Sequence, residues 1–69
     1  MNEGKFRILY SQAVPGTDRQ FVEAAVDDDS VTKPTGVFIT GSTCVEVLTG
    51  NMYMYSEKQE DWVIFGGNG

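Results

Sequence analysis

Residues 41–62 read GSTCVEVLTGNMYMYSEKQEDW, and in this stretch side-chain character alternates with a period of two between clusters of turn residues. Along 42–48, Thr43, Val45 and Val47 fall on one side and Ser42, Cys44, Glu46 and Leu48 on the other. Thr49-Gly50-Asn51 follows, and its residues tolerate positive φ, the mark of a hairpin turn. Residues 52–55 return with Met52 and Met54 on one face and Tyr53 and Tyr55 on the other. A polar turn at 56–60 leads into a last strand at 61–65. Trp62 and Ile64 share one side of it, Val63 and Phe65 the other.

The first half of the chain carries the same signal. In 5–14, KFRILYSQAV, Phe6, Ile8 and Tyr10 alternate with Arg7, Leu9 and Ser11. Leu9 leaves the second face only partly polar, as in a strand that an assembly covers. Pro15-Gly16 stops this strand in a turn. The run 20–26, QFVEAAV, is read as a strand because it is short and bounded by breakers; one short helix is the alternative. An acidic loop, Asp27-Asp28-Asp29-Ser30, opens the longest connection, in which Pro34 pushes Lys33 toward extended geometry. Residues 37–40 read as an edge strand. The expected fold is therefore all-β, a small antiparallel meander, sandwich or barrel of five to six short strands. It forms one domain over 1–65, an N-terminal hairpin at 5–26 and a C-terminal meander at 37–65, with a flexible Gly-rich tail at 66–69.

Composition narrows how such a fold can be held together. A chain of 69 residues buries only roughly 60% of its unfolded surface, so an isolated core is marginal. One cysteine allows no internal disulfide, and the absence of histidine removes the common zinc sets. Local packing or burial against another chain remains, and the second is expected to dominate. No stretch approaches the ~20 apolar residues of a membrane span, and Met1-Asn2-Glu3-Gly4 lacks the basic start of a signal peptide. A net charge of −5 disfavours nucleic acid and anionic membrane as partners. The lone thiol fits a reducing cytoplasm.

Residues with chemical potential mostly have structural explanations. Cys44 has no histidine to act as its base, so it is expected to be a small buried residue rather than a nucleophile. Asp27, Asp28 and Asp29 lack the spaced ligands and terminal Glu of a calcium loop and read as a solvated turn. Glu57, Glu60 and Asp61 read as the wet rim of a turn. Gly66-Gly67-Asn68-Gly69 has neither the lysine nor the following helix of a phosphate loop. An oligonucleotide-binding barrel would need a basic groove beside its aromatics; the cations here are Lys5, Arg7, Arg19, Lys33 and Lys58, set among ten acidic residues. No cofactor, metal or catalytic residue is expected.

The run Lys33-Pro34-Thr35-Gly36, then Thr40-Gly41-Ser42-Thr43-Cys44-Val45-Glu46-Val47, then Thr49-Gly50-Asn51-Met52-Tyr53-Met54-Tyr55, then Trp62, resembles small accessory proteins of tailed bacteriophages and prophages. The resemblance covers 33–62, under half of the chain. It implies a virion component, assembled in the host cytoplasm, acting by protein–protein contact: a capsid decoration, head-fibre or tail-accessory subunit. Partners would be capsid or tail subunits, or further copies of the chain. Because Met and Tyr alternate through 52–55, one face must pack on the domain and the other on something else. Met52, Tyr53, Met54, Tyr55, Trp62 and Phe65 are the candidate partner interface. The alternative is a small acidic inhibitor that mimics phosphate with Asp27, Asp28, Asp29, Glu57, Glu60 and Asp61 in the basic cleft of a host nuclease or regulator.

Overall fold

The computed structural model describes residues 6–66. Five strands, β1 (Phe6–Ala13), β2 (Gln20–Val26), β3 (Thr43–Glu46), β4 (Met52–Ser56) and β5 (Asp61–Gly66), form one sheet in the order β1-β2-β3-β4-β5. The fold is all-β, as the alternation implies. The seven residues of β2 lie in the sheet, which excludes the short helix. Lys5, at the head of the expected first strand, and 67–69 of the expected tail lie outside the described residues. Gly66 belongs to β5, opposite Met52.

Spatial order follows chain order, yet one pairing differs from a pure meander. β1 and β2 are antiparallel, as are β3 with β4 and β4 with β5, but β2 and β3 run parallel. Parallel neighbours need a crossover, and the connection 27–42 supplies it without a helix. The ladder continues past β3, where Val47 N–H donates to Val26 O at 2.8 Å and Leu48 N–H to Asp27 O at 2.6 Å. These bonds turn 47–48 out of the hairpin, so β3 ends at Glu46 rather than at 48. The expected edge strand at 37–40 reduces to one parallel bridge, Phe38 with Gln20. The sheet is a single layer rather than a barrel or sandwich.

The connection lies across one face of the sheet and covers its middle, from β2 to β5. Val22, Ala24 and Val26 of β2 point to that face, with Cys44 and Glu46 of β3, and all five are buried. From the connection, Val31, Pro34 and Phe38 are buried against them. Phe38, Tyr55 and Trp62 form a three-ring cluster with centroids 5.3–5.6 Å apart, Tyr55 edge-on to both others. Such contacts add about 0.5–1.5 kcal/mol beyond area burial. The Trp62 indole N–H donates to Pro34 O at 2.9 Å, tying β5 to the connection. Gly36 has no side chain because a Cβ there would meet the Phe38 ring at 3.1 Å.

Phe38 is thus the connection's main anchor, whereas Val37 beside it is 49% exposed. Phe38→Ala is expected to cost about 3–5 kcal/mol and Val37→Ala under about 0.5 kcal/mol, read as the shift in urea unfolding of the two variants. Equal shifts would mean that the connection is not seated by its aromatic ring.

Candidate functional site

The buried charge of this protein is Glu46, which has no exposed surface. Its position on β3 aims it at the closed face, in phase with Cys44 and opposite Val26. Lys33, from the connection, reaches it with Nζ 3.0 Å from Oε2. The other carboxylate oxygen accepts from Thr49 Oγ1 at 2.8 Å and Asn51 Nδ2 at 3.1 Å. Lys33 Nζ also sits 4.1 Å above the centre of the Tyr53 ring. The hairpin turn is therefore bonded inward: Gly50, with φ of 81°, reverses the chain so that Thr49 and Asn51 both face the carboxylate.

Burial pushes the Glu46 carboxyl up, but hydrogen bonds from Lys33, Thr49, Tyr53 and Asn51 outweigh it and leave the carboxyl at about 2. Burial likewise disfavours the Lys33 ammonium, and its hydrogen bond to Glu46 reverses the sign, so Lys33 is raised. Burial pushes the Cys44 thiol up, which Lys33 offsets only in part; the thiol is fully enclosed and in its neutral form. This cluster is a saturated ion pair under a sheet, and its chemistry is that of a clamp.

A second polar cluster closes the other end. Arg19 donates to Phe38 O at 2.8 Å and pairs with Glu60 at 3.1 Å and Glu57 at 3.5 Å. Tyr55 donates to Glu60, and Thr40 and Glu57 exchange backbone–side-chain bonds at 3.0 and 2.8 Å. Burial and the Glu60 carboxylate raise Tyr55. Two of the acidic residues read as a solvated rim are thus engaged by one arginine. In the first acidic loop, the Asp28 carboxylate accepts from Ser30 Oγ and N–H, which lowers it.

The candidate interface divides between the two faces. Tyr55 is 5% exposed and Trp62 packs on both core clusters, so these two belong to the core. Tyr53 is on the same side, packed against Ala24, Val26, Val31 and Cys44. Tyr55 is thereby removed from the partner contacts, whereas Tyr53 and Trp62 are half-buried under the connection. Met52 and Met54 point the other way, opposite Val45 and Thr43. Phe65 lies at the β-bulge of β5 and is 52% exposed. With Met54, Trp62 and Val63 it borders an open groove of about 600 Å³.

Cross-strand registers build the uncovered face in rows. One row runs Arg7, Ala25, Val45, Met52, Gly66, and the next Tyr10, Glu23, Thr43, Met54, Val63. Sequence reasoning had the alternation of Met and Tyr but not Val45, Ala25 or Val63 as their neighbours, because strand order is non-local. Read locally, Lys33 is an extended residue before Pro34, Glu46 a strand residue and Thr49 and Asn51 turn residues, with nothing that joins them. The available signal was a glutamate in phase with Cys44 inside TCVEV, where a buried strand face leaves no room for an unpaired charge. The chain matches no protein-family model, and neither a curated protein nor a solved structure matches it.

Lys33→Met is expected to cost about 3–5 kcal/mol at neutral pH, because it leaves a buried carboxylate without its cation. Lys33→Met/Glu46→Gln should recover part of that loss in the same urea titration. The Glu46 carboxyl lies below its ordinary value of 4.5 in the folded state, so the unfolded chain binds more protons in this window. Its contribution is therefore present above about pH 4.5 and is lost as the pH falls through about 2. Glu46→Gln should flatten the acid limb of the stability profile; an unchanged slope would place the carboxylate outside the cluster.

Proposed function

We propose that this chain is a non-enzymatic structural or accessory subunit of a tailed-bacteriophage particle, on the capsid, a head fibre or the tail, and that it works by laying apolar surface on other proteins. One observation carries the assembly part of this reading. Among the described residues, eleven large hydrophobic side chains are exposed, while the buried hydrophobic core has only seven members. Scattered exposed apolar residues are ordinary, but these are continuous along strands: Phe6, Ile8, Leu9 and Tyr10 on β1, Val63, Ile64 and Phe65 on β5. Every residue of β1 is exposed, and among the described residues no strand lies beside its outer edge. A long apolar edge of this kind is a template for pairing with another chain. Burying such surface gains about 25 cal/mol per Å² before the costs of association.

The particle part of the reading rests on the resemblance of 33–62 alone. Charge mimicry is less well supported. Glu57 and Glu60 are both drawn onto Arg19, and Asp28 is turned onto Ser30, so neither acidic turn presents a free row of carboxylates.

Quantitative mass spectrometry of purified particles from the source phage or induced prophage tests the proposal. A copy number near that of the major capsid protein is expected for a decoration subunit, and a few to tens of copies for a vertex or tail subunit. A chain abundant in infected cytoplasm but missing from particles would contradict it. A host-protein complex that dissolves steeply with ionic strength would then favour mimicry.

A further inference from the structure

We infer that the uncovered face of the sheet is the seat of a second copy of this chain, packed face to face across a two-fold axis. The inference deepens the assembly reading by naming what covers one of its surfaces, and it needs no virion partner. Four features carry it: the shape of the molecule, the composition of the face, the charge on it and the area it offers.

The molecule is a slab with extents of 35 × 28 × 16 Å. Domains are generally two packed layers, and here the second layer is only the connection 27–42, which covers one broad face. The extents of 35 × 28 Å bound a rectangle of about 1,000 Å², which sets the most that the other broad face can offer, and a standard stable interface takes roughly 800 Å² per partner. A second sheet would seat on it at the ≈ 10 Å spacing of sheet-on-sheet packing.

The middle of this face is apolar. Ala25, Val45, Met52, Met54 and Val63 adjoin one another across four strands. Polar groups lie toward its margins: Arg7, Glu23 and Gln12 on β1 and β2, and Ser56 and Asp61 at the end of β4 and β5. An apolar centre with a polar rim is the anatomy of a protein interface. The two methionines adapt their shape to a facing copy, which a flat sheet surface needs.

Charge selects the occupant. The chain carries a net charge of −5, so two copies repel unless a cation of each meets an anion of the other. Arg7 is the cation of this face; Glu23 lies on the adjacent row and the neighbouring strand, within reach of a facing Arg7, and Asp61 lies at the far margin beside Ser56. Among the described residues neither Arg7 nor Glu23 takes part in an ion pair within the chain. A two-fold axis running across the strands between those rows brings Arg7 of each copy toward the Glu23–Tyr10 row of the other. It also brings the Met52 row over the Met54 row. The face is thus complementary to itself, as a two-fold interface requires.

Sedimentation equilibrium of the purified full chain over a concentration series tests this. A reversible monomer–dimer equilibrium is expected. Met54→Lys should weaken it by ~10-fold or more, because it places a charge in the apolar centre. Arg7→Glu and Glu23→Arg should each weaken it, and the double reversal should restore it. Both positions are exposed, so these variants keep the fold, checked by circular dichroism. A chain that stays monomeric at every concentration overturns the inference and leaves the face to a different protein. So does a dimer that Met54→Lys leaves untouched, or single reversals that the double does not rescue. The virion reading is decided separately, by copy number in particles.

Discussion

The buried ion pair between Lys33 and Glu46 is the constraint on which the rest of the structure hangs. A carboxylate with no exposed surface is tolerated only if its charge and lone pairs are met, and the cation that meets it comes from the long connection. Seating Lys33 over Tyr53 brings Val31 and Pro34 down onto the sheet beside it. Phe38 then reaches Tyr55 and Trp62. The same carboxylate holds Thr49 and Asn51, so the crossover and the hairpin turn are fixed by one group. An apolar pair at these positions could fill the space, but it would not link turn, strand and connection through directional bonds.

The clamp also decides which surface is left over. A connection of this length covers one face of a five-stranded sheet and no more. Phe6 and Ile8 of β1 lie on the closed side by register, opposite Val26 and Ala24, yet they stay exposed because the connection does not reach them. The apolar surplus is therefore a geometric result of a small chain whose second layer is a single loop. A surface that large is costly in water, and association is the ordinary remedy for chains of this size.

Much of the local structure was legible. Alternation located four of the five strands and a short run between breakers the other, β2; Pro15-Gly16 and Thr49-Gly50-Asn51 marked the reversals, and the alternation of Met and Tyr announced two differently occupied faces. The parallel pairing of β2 with β3 was not legible, because the residues that fix it are far apart: Gln20 pairs with Phe38, and Val26 with Glu46. Local patterning gives strand phase, not partner. That also explains the division of the candidate interface. Aromatic rings on adjacent strands suit an interface and a core equally well by composition. Only the path of the connection assigns Tyr53, Tyr55 and Trp62 to the core and leaves Met52 and Met54 outside. That Pro34 favours extended geometry at Lys33 says nothing of the glutamate it reaches.

Solvent paramagnetic relaxation, measured by NMR on a solution dilute enough to hold the chain monomeric, tests the two-faced arrangement most directly. With the connection clamped by Lys33 and Glu46, the Tyr55 ring and Cys44 should be shielded from a soluble paramagnetic probe, while the Met52 and Met54 methyl groups should relax rapidly. Shielded methionines beside an accessible Tyr55 would mean that the connection crosses the opposite face, and the account of clamp, core and open surface would fail together.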